Sequence, residues 1–145
     1  MTQYPIHTVK SAPPASAPLL EQIGKKFGFI PNLAGVLADA PAVLEAYFSL
    51  AAIFDKTSLS PTERQIVLLA VSFENGCEYC VAAHTVIARM QSVPEAVIEA
   101  IRKGDGIPDP KLEALRRLTT VIVRNRGVLF AGDLLPFFDA GYLRA

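Results

Sequence analysis

Charge of one sign is missing from this chain. Its 14 basic and 14 acidic residues cancel, so it lacks the footprint of a nucleic-acid or membrane-surface binder. Long apolar runs are missing too. The longest, such as Ile66 to Val71, are far too short to span a bilayer. The N-terminus has no basic-then-apolar signal pattern, so a cytoplasmic protein is expected. No stretch alternates apolar and polar residues over strand length, and no hairpin turn is flanked by β-branched runs. There is no repeat, no G-x-G-x-x-G and no P-loop, and no cofactor is expected. Cysteine is scarce: Cys77 and Cys80 are the whole complement. In C-x-x-C spacing, such a pair fits a redox or metal role in the cytoplasm better than a structural disulfide.

What is present reads as helix. The 145 residues suffice for one domain with a real core. A composition 51% hydrophobic and 19% charged is apolar for a small soluble protein, and points to apolar surface buried between subunits. Residues 1–18 contain Pro5, Pro13, Pro14 and Pro18 and read as an extended arm carrying a solvated His7. Residues 19–145 read as a single helical domain. Short helices are expected over Leu19 to Phe27, ending at Gly28, and over Leu33 to Leu37. Asp39 is the expected cap of the next helix, whose Val43, Leu44, Tyr47, Leu50 and Phe54 follow helical spacing. Ser60-Pro61-Thr62-Glu63 is a capping box opening a central helix that is apolar nearly all round. Ser92-Val93-Pro94-Glu95 reads as a second capping box. Asp109-Pro110 caps a long helix to about Arg126, and Asp133 caps a last one through Phe138. The fold class is all-α, with about seven or eight helices.

The chemistry concentrates in Glu74-Asn75-Gly76-Cys77-Glu78-Tyr79-Cys80-Val81-Ala82-Ala83-His84. Cys77, Cys80 and His84 are spaced i, i+3, i+7 and stack along one helix face. Asn75-Gly76 is a helix stop, which puts Cys77 at the start of the next helix, where a thiol's pKa falls. His84 stands one turn beyond Cys80 and could take or relay a proton. Gln65 is a buried amide, either tied to backbone or pointed at the site. Glu74 ends the central helix, where a carboxylate is misplaced. It is a solvated side chain, is rescued by a cation, or has a pKa raised for proton transfer. Two competing readings of the thiols stand beside the redox one. Metal binding lacks the usual second C-x-x-C or H-x-H, and an inert core pair does not account for the helix start and the His. A thioredoxin fold would need a β-α-β pattern that is absent.

Leu59 to Gln65, together with Asn75-Gly76-Cys77-Glu78-Tyr79-Cys80 and His84, resembles the AhpD-like alkylhydroperoxidase branch of the carboxymuconolactone decarboxylase family. Gly28-Phe29-Ile30-Pro31-Asn32-Leu33 and Ala40-Pro41 resemble its peroxidase-related subgroup, and Asp139-Ala140-Gly141-Tyr142 resembles the turn before that family's C-terminal helices. Family members often continue past this point, so the ending at Ala145 is either naturally short or truncated. The resemblance implies an AhpD-like helical protomer assembled into trimers or hexamers. It implies reduction of a hydroperoxide: Cys80 attacks the O–O bond, Cys77 closes a disulfide, His84 relays protons, and a dithiol or thiol reductant protein recycles the pair. It tells against lactone decarboxylation, which does not depend on a C-x-x-C pair. Two residues depart from the pattern. Gln65 stands where the family commonly has a Glu thought to feed the His, so either the relay is weaker here or Glu74 or Glu63 substitutes. Tyr79 lies between the thiols where some hydroperoxidases have His. An alternative keeps the fold without turnover: a thiol-disulfide switch or binding protein.

Overall fold

The computed structural model describes residues 4–143. Among them the chain forms eight helices and no strand: α1 (Ala17–Phe27), α2 (Asn32–Leu37), α3 (Pro41–Phe54), α4 (Pro61–Glu74), α5 (Glu78–Met90), α6 (Glu95–Lys103), α7 (Pro110–Arg124) and α8 (Ala131–Asp139). The all-α expectation is met. The chain divides into two compact units, the first ending at Thr57 and the second beginning at Ser58.

The first unit packs α1 to α3 around Leu20, Ile23, Ala34, Ala38 and Leu44. Helix α1 starts at Ala17, two residues ahead of the expected Leu19, with Pro18 in its first turn, where the missing N–H costs nothing. The expected arm is tied down over its described part, and its first three residues lie outside the described ones. The His7 N–H donates to Gly35 O at 3.1 Å, and His7 Nε2 pairs with Asp39 Oδ1 at 2.7 Å. A Cβ on Gly35 would stand 2.8 Å from His7 O, so only glycine admits this approach. His7 is therefore not a solvated side chain. This pairing also overturns the role expected for Asp39. The N-cap of α3 is Ala40, with no side-chain cap, because the Asp39 carboxylate faces an imidazole from 32 residues away. The apolar stripe of α3 is helical as expected, but only Leu44 of that helix is buried, while Val43, Tyr47, Leu50 and Ile53 are exposed.

The second unit is organised on α4, which packs against α5, α6 and α7. The capping box forms as read: Ser60 Oγ accepts the Glu63 N–H at 3.3 Å, and Glu63 Oε2 accepts the Ser60 N–H at 2.8 Å. Burial raises the Glu63 pKa, but the hydrogen bonds from Ser60 outweigh it and hold the carboxyl below its ordinary value. The core joins Ile66, Leu69 and Ala70 of α4 to Ala88 of α5, Val97, Ile98 and Ile101 of α6, and Leu115 of α7. Asp109 caps α7 by accepting the N–H groups of Lys111 and Leu112, both at 2.9 Å. The second expected capping box does not form. Ser92 takes a left-handed φ of 59° in the turn after α5, and α6 begins after Pro94, which has no side-chain acceptor. Glu95 instead accepts Arg89 Nε at 3.0 Å. Asp133 serves α8 from inside its first turn, accepting the Phe130 N–H at 2.8 Å, and is not its N-cap. Helix α7 stops at Arg124, two residues short of the expected end.

Candidate active site

The site starts from a forced break in the chain. Helix α4 runs out at Glu74, and Gly76 then takes φ 63°, a left-handed conformation that glycine adopts without a Cβ penalty. The Gly76 N–H donates to Phe73 O and the Cys77 N–H to Ser72 O, both at 3.0 Å, which closes the end of α4. The next residue, Cys77, has non-helical φ −83° and ψ 89° and is the N-cap of α5. Caps usually offer an oxygen to the first free N–H groups of a helix. Here Cys77 Sγ accepts the Cys80 N–H at 3.3 Å. Cys77 and Cys80 are joined as a disulfide, with Cα atoms 5.3 Å apart.

His84 lies one turn beyond Cys80 on the same helix, partly buried. Its Nδ1 is 3.2 Å from Gln65 Oε1 of α4, 19 residues away in sequence. The carbonyl oxygen accepts, so the ring proton sits on Nδ1 and Nε2 is left as the proton acceptor. Burial pushes the His84 pKa below its ordinary value of 6.5, which keeps the ring neutral at pH 7. Of the two expectations for Gln65, the side chain follows the second: it is buried and turned to the site histidine.

Glu74 is held by a cation. Arg124 Nε of α7 donates to its Oε1 at 2.6 Å, the rescue that a carboxylate at a helix C-terminus calls for. Arg124 reaches Glu74 across 50 residues of sequence, and no local signal marks that pairing. Glu63, the other carboxylate considered as a stand-in for the family Glu, is committed to Ser60. Thus the structure joins Cys77 to Cys80 and Gln65 to His84, and engages Glu74 with α7. The feature that spacing alone left unread is the sulfur of Cys77 acting as a cap.

On the other flank of α5 a cleft of about 410 Å³ is lined by Phe73, Gly76, Glu78, Val81, Ala82 and Arg102. Arg102 is steadied there by donating from Nη1 to Thr85 Oγ1 at 2.8 Å. Among the described residues no group of three or more His, Cys, Asp or Glu side chains is clustered to hold a metal ion, and no helix is long and apolar enough to cross a membrane.

The sequence profile of the carboxymuconolactone decarboxylase family matches residues 40–120, a span that contains Gln65, the dithiol and His84. The chain belongs to the carboxymuconolactone decarboxylase family. Its fold is similar to that of an uncharacterized peroxidase-related protein from Ralstonia eutropha JMP134, described as an alkylhydroperoxidase AhpD core. That likeness has a TM-score of 0.82 at 23% identity, over 97% of this chain and 76% of the other. An uncharacterized peroxidase-related protein from Silicibacter sp. TM1040 is also similar, with a TM-score of 0.75 at 19% identity over 99% and 78% of the two chains. No curated protein matches the chain. At these identities the solved structures establish the fold, which is that of the AhpD core, and the family profile establishes kinship.

Proposed function

We propose that this member of the carboxymuconolactone decarboxylase family is a thiol peroxidase that reduces hydroperoxides through a Cys77–Cys80 cycle. The observation that carries the reading is the dithiol at the start of α5, with a neutral, oriented His84 one turn away. His84 Nε2 takes the proton of the Cys80 thiol. The thiolate attacks one oxygen of ROOH, the O–O bond breaks, and His84 returns the proton to the leaving RO⁻ as ROH. Cys80 is left as a sulfenic acid. Cys77, a thiolate favoured by its place at the helix N-terminus, attacks the Cys80 sulfur, and hydroxide leaves and is protonated to water. One hydroperoxide and two thiols thus yield an alcohol, water and the disulfide. A dithiol or thiol reductant restores the pair. Gln65 positions His84, and Glu74 belongs to the α4–α7 contact.

A reducing compartment, the cytoplasm, suits a pair that must return to thiols in each cycle. The exposed Val43, Tyr47, Leu50 and Ile53 of α3 support a homo-oligomer, in the trimer or hexamer range, that covers them.

The test is a thiol count with intact mass before and after one equivalent of organic hydroperoxide. Loss of both thiols with a two-hydrogen mass decrease is expected, and Cys80→Ser should abolish catalytic peroxide consumption. Oxidation to the disulfide without repeated turnover, in the presence of a recycling dithiol, would favour a thiol switch. Thiols that survive the peroxide would remove both readings.

A further inference from the structure

The two sulfurs of the disulfide are not equivalent leaving groups, and this inequality sets the order in which the pair is reduced. Resting on the dithiol reading above, we infer that an incoming thiolate attacks Cys80 Sγ and that Cys77 leaves as the thiolate. Three observations carry this. Cys77 is the N-cap of α5, and its sulfur already accepts the Cys80 N–H at 3.3 Å. A thiolate released there meets a backbone donor and the positive end of the helix as it forms. Cys80, by contrast, lies inside the first turn, and its own N–H is spent on Cys77. The group placed to steady a Cys80 thiolate is His84, which would have to be an imidazolium. His84 faces an amide, Gln65, which orients the ring but supplies no negative charge to hold it protonated. Expelling Cys77 therefore needs no prior protonation, whereas expelling Cys80 does.

The reductant thiolate RS⁻ forms an S–S bond to Cys80 while the Cys77–Cys80 bond breaks, and its electron pair leaves on Cys77. A second thiolate, from the same dithiol or another molecule, attacks the reductant's sulfur. It forms RS–SR and releases Cys80, which takes its proton from solvent. Both the closing and the opening of the disulfide then occur by substitution at the Cys80 sulfur. Access argues the other way: Gly76 and Glu78, which flank Cys77, line the cleft. Attack governed by access and departure governed by leaving-group stability give opposite intermediates. Leaving-group stability prevails because a lower leaving-group pKa acts directly on the exchange rate, and a helix N-terminus lowers a thiol's pKa.

The experiment uses the full chain oxidised with diamide, so that it does not depend on peroxide chemistry. The disulfide is mixed with cysteamine, quenched in acid, alkylated with N-ethylmaleimide and mapped by fragmentation mass spectrometry. Cysteamine on Cys80 with N-ethylmaleimide on Cys77, in excess of the reverse by about tenfold or more, is expected. Equal labelling, or cysteamine chiefly on Cys77, overturns the inference. In Gln65→Glu the preference should shrink, because a carboxylate beside His84 lets Cys80 leave against an imidazolium. An unchanged ratio there would remove His84 from the argument. Failure of peroxide turnover with cysteamine still on Cys80 would overturn the peroxidase reading and leave the exchange order standing.

Discussion

Replacing Gln65 with Glu changes one atom's chemistry at the centre of the proposed relay. The new carboxylate would stand where Oε1 now stands, 3.2 Å from His84 Nδ1. At an effective dielectric of about 20, two unit charges at that distance attract by roughly 5 kcal/mol, nearly four pKa units by the usual conversion. Gln65 is only 5% exposed, so burying the new charge cancels much of that attraction. A net rise in the His84 pKa is expected, as for groups beside an opposite charge. In the native protein burial holds the His84 pKa below 6.5. The variant should therefore hold an imidazolium up to a higher pH than the native protein does.

Imidazole NMR is the direct assay, since His7 and His84 are the only histidines and His7→Gln assigns them. The His84 midpoint should climb, and the acid limb of the pH–rate profile for peroxide consumption should climb with it. Above that limb, turnover should rise if the lack of a carboxylate limits the relay. Stability should respond differently to acid in the two proteins. In the native chain the unfolded state takes the proton first, so stability is lost as pH falls from about 6.5 toward the lower folded value. In the variant that loss should shrink, and it turns to a gain where the raised midpoint exceeds 6.5. A His84 midpoint that stays put or drops, with the fold intact, would refute the contact between Gln65 and His84 on which this reasoning stands.

Three further outcomes test the frame. Ser60→Ala removes the acceptor of the Glu63 N–H and should cost about 1 kcal/mol in denaturant melts, the usual worth of an N-cap. Ile98→Ala opens a cavity at a fully buried core position and should cost about 2–5 kcal/mol by the same melts. Glu74→Gln breaks the pairing with Arg124 and should change peroxide turnover by less than about twofold, because the carboxylate is engaged by α7, and an ion pair with an exposed partner contributes little. A tenfold or greater loss in a folded Glu74→Gln protein would place that carboxylate in the relay.

The elements that were legible in sequence are those whose signals lie within one turn. Ser60-Pro61-Thr62-Glu63 and Asp109-Pro110 read correctly because donor, acceptor and fixed φ are all local. Asp39 misled because its carboxylate had a remote competitor in His7. Ser92 to Glu95 has the spacing of a capping box, but Pro94 starts the helix two residues later and Arg89 takes the glutamate. Periodicity found the apolar stripe of α3, yet periodicity says only that residues share a face. It does not say what covers that face, and Val43, Tyr47, Leu50 and Ile53 are exposed.

The same distinction explains the site. That Gln65 needed a partner followed from burial, whereas the choice of His84 depends on how α4 and α5 pack. The dithiol was legible because the helix stop, the cap and both thiols fall within a few residues. Its least visible feature follows from a general requirement of helices. The first N–H groups of α5 must find acceptors, and Cys77 supplies sulfur where Ser or Asp would supply oxygen. Substituting a better cap would steady α5 and remove a thiol from the cycle. Keeping the thiol leaves those N–H groups to stabilise a charge that forms only when the disulfide opens. The demand that orders the start of the helix is thus the one that separates the two sulfurs, Cys77 as the group that leaves and Cys80 as the atom attacked.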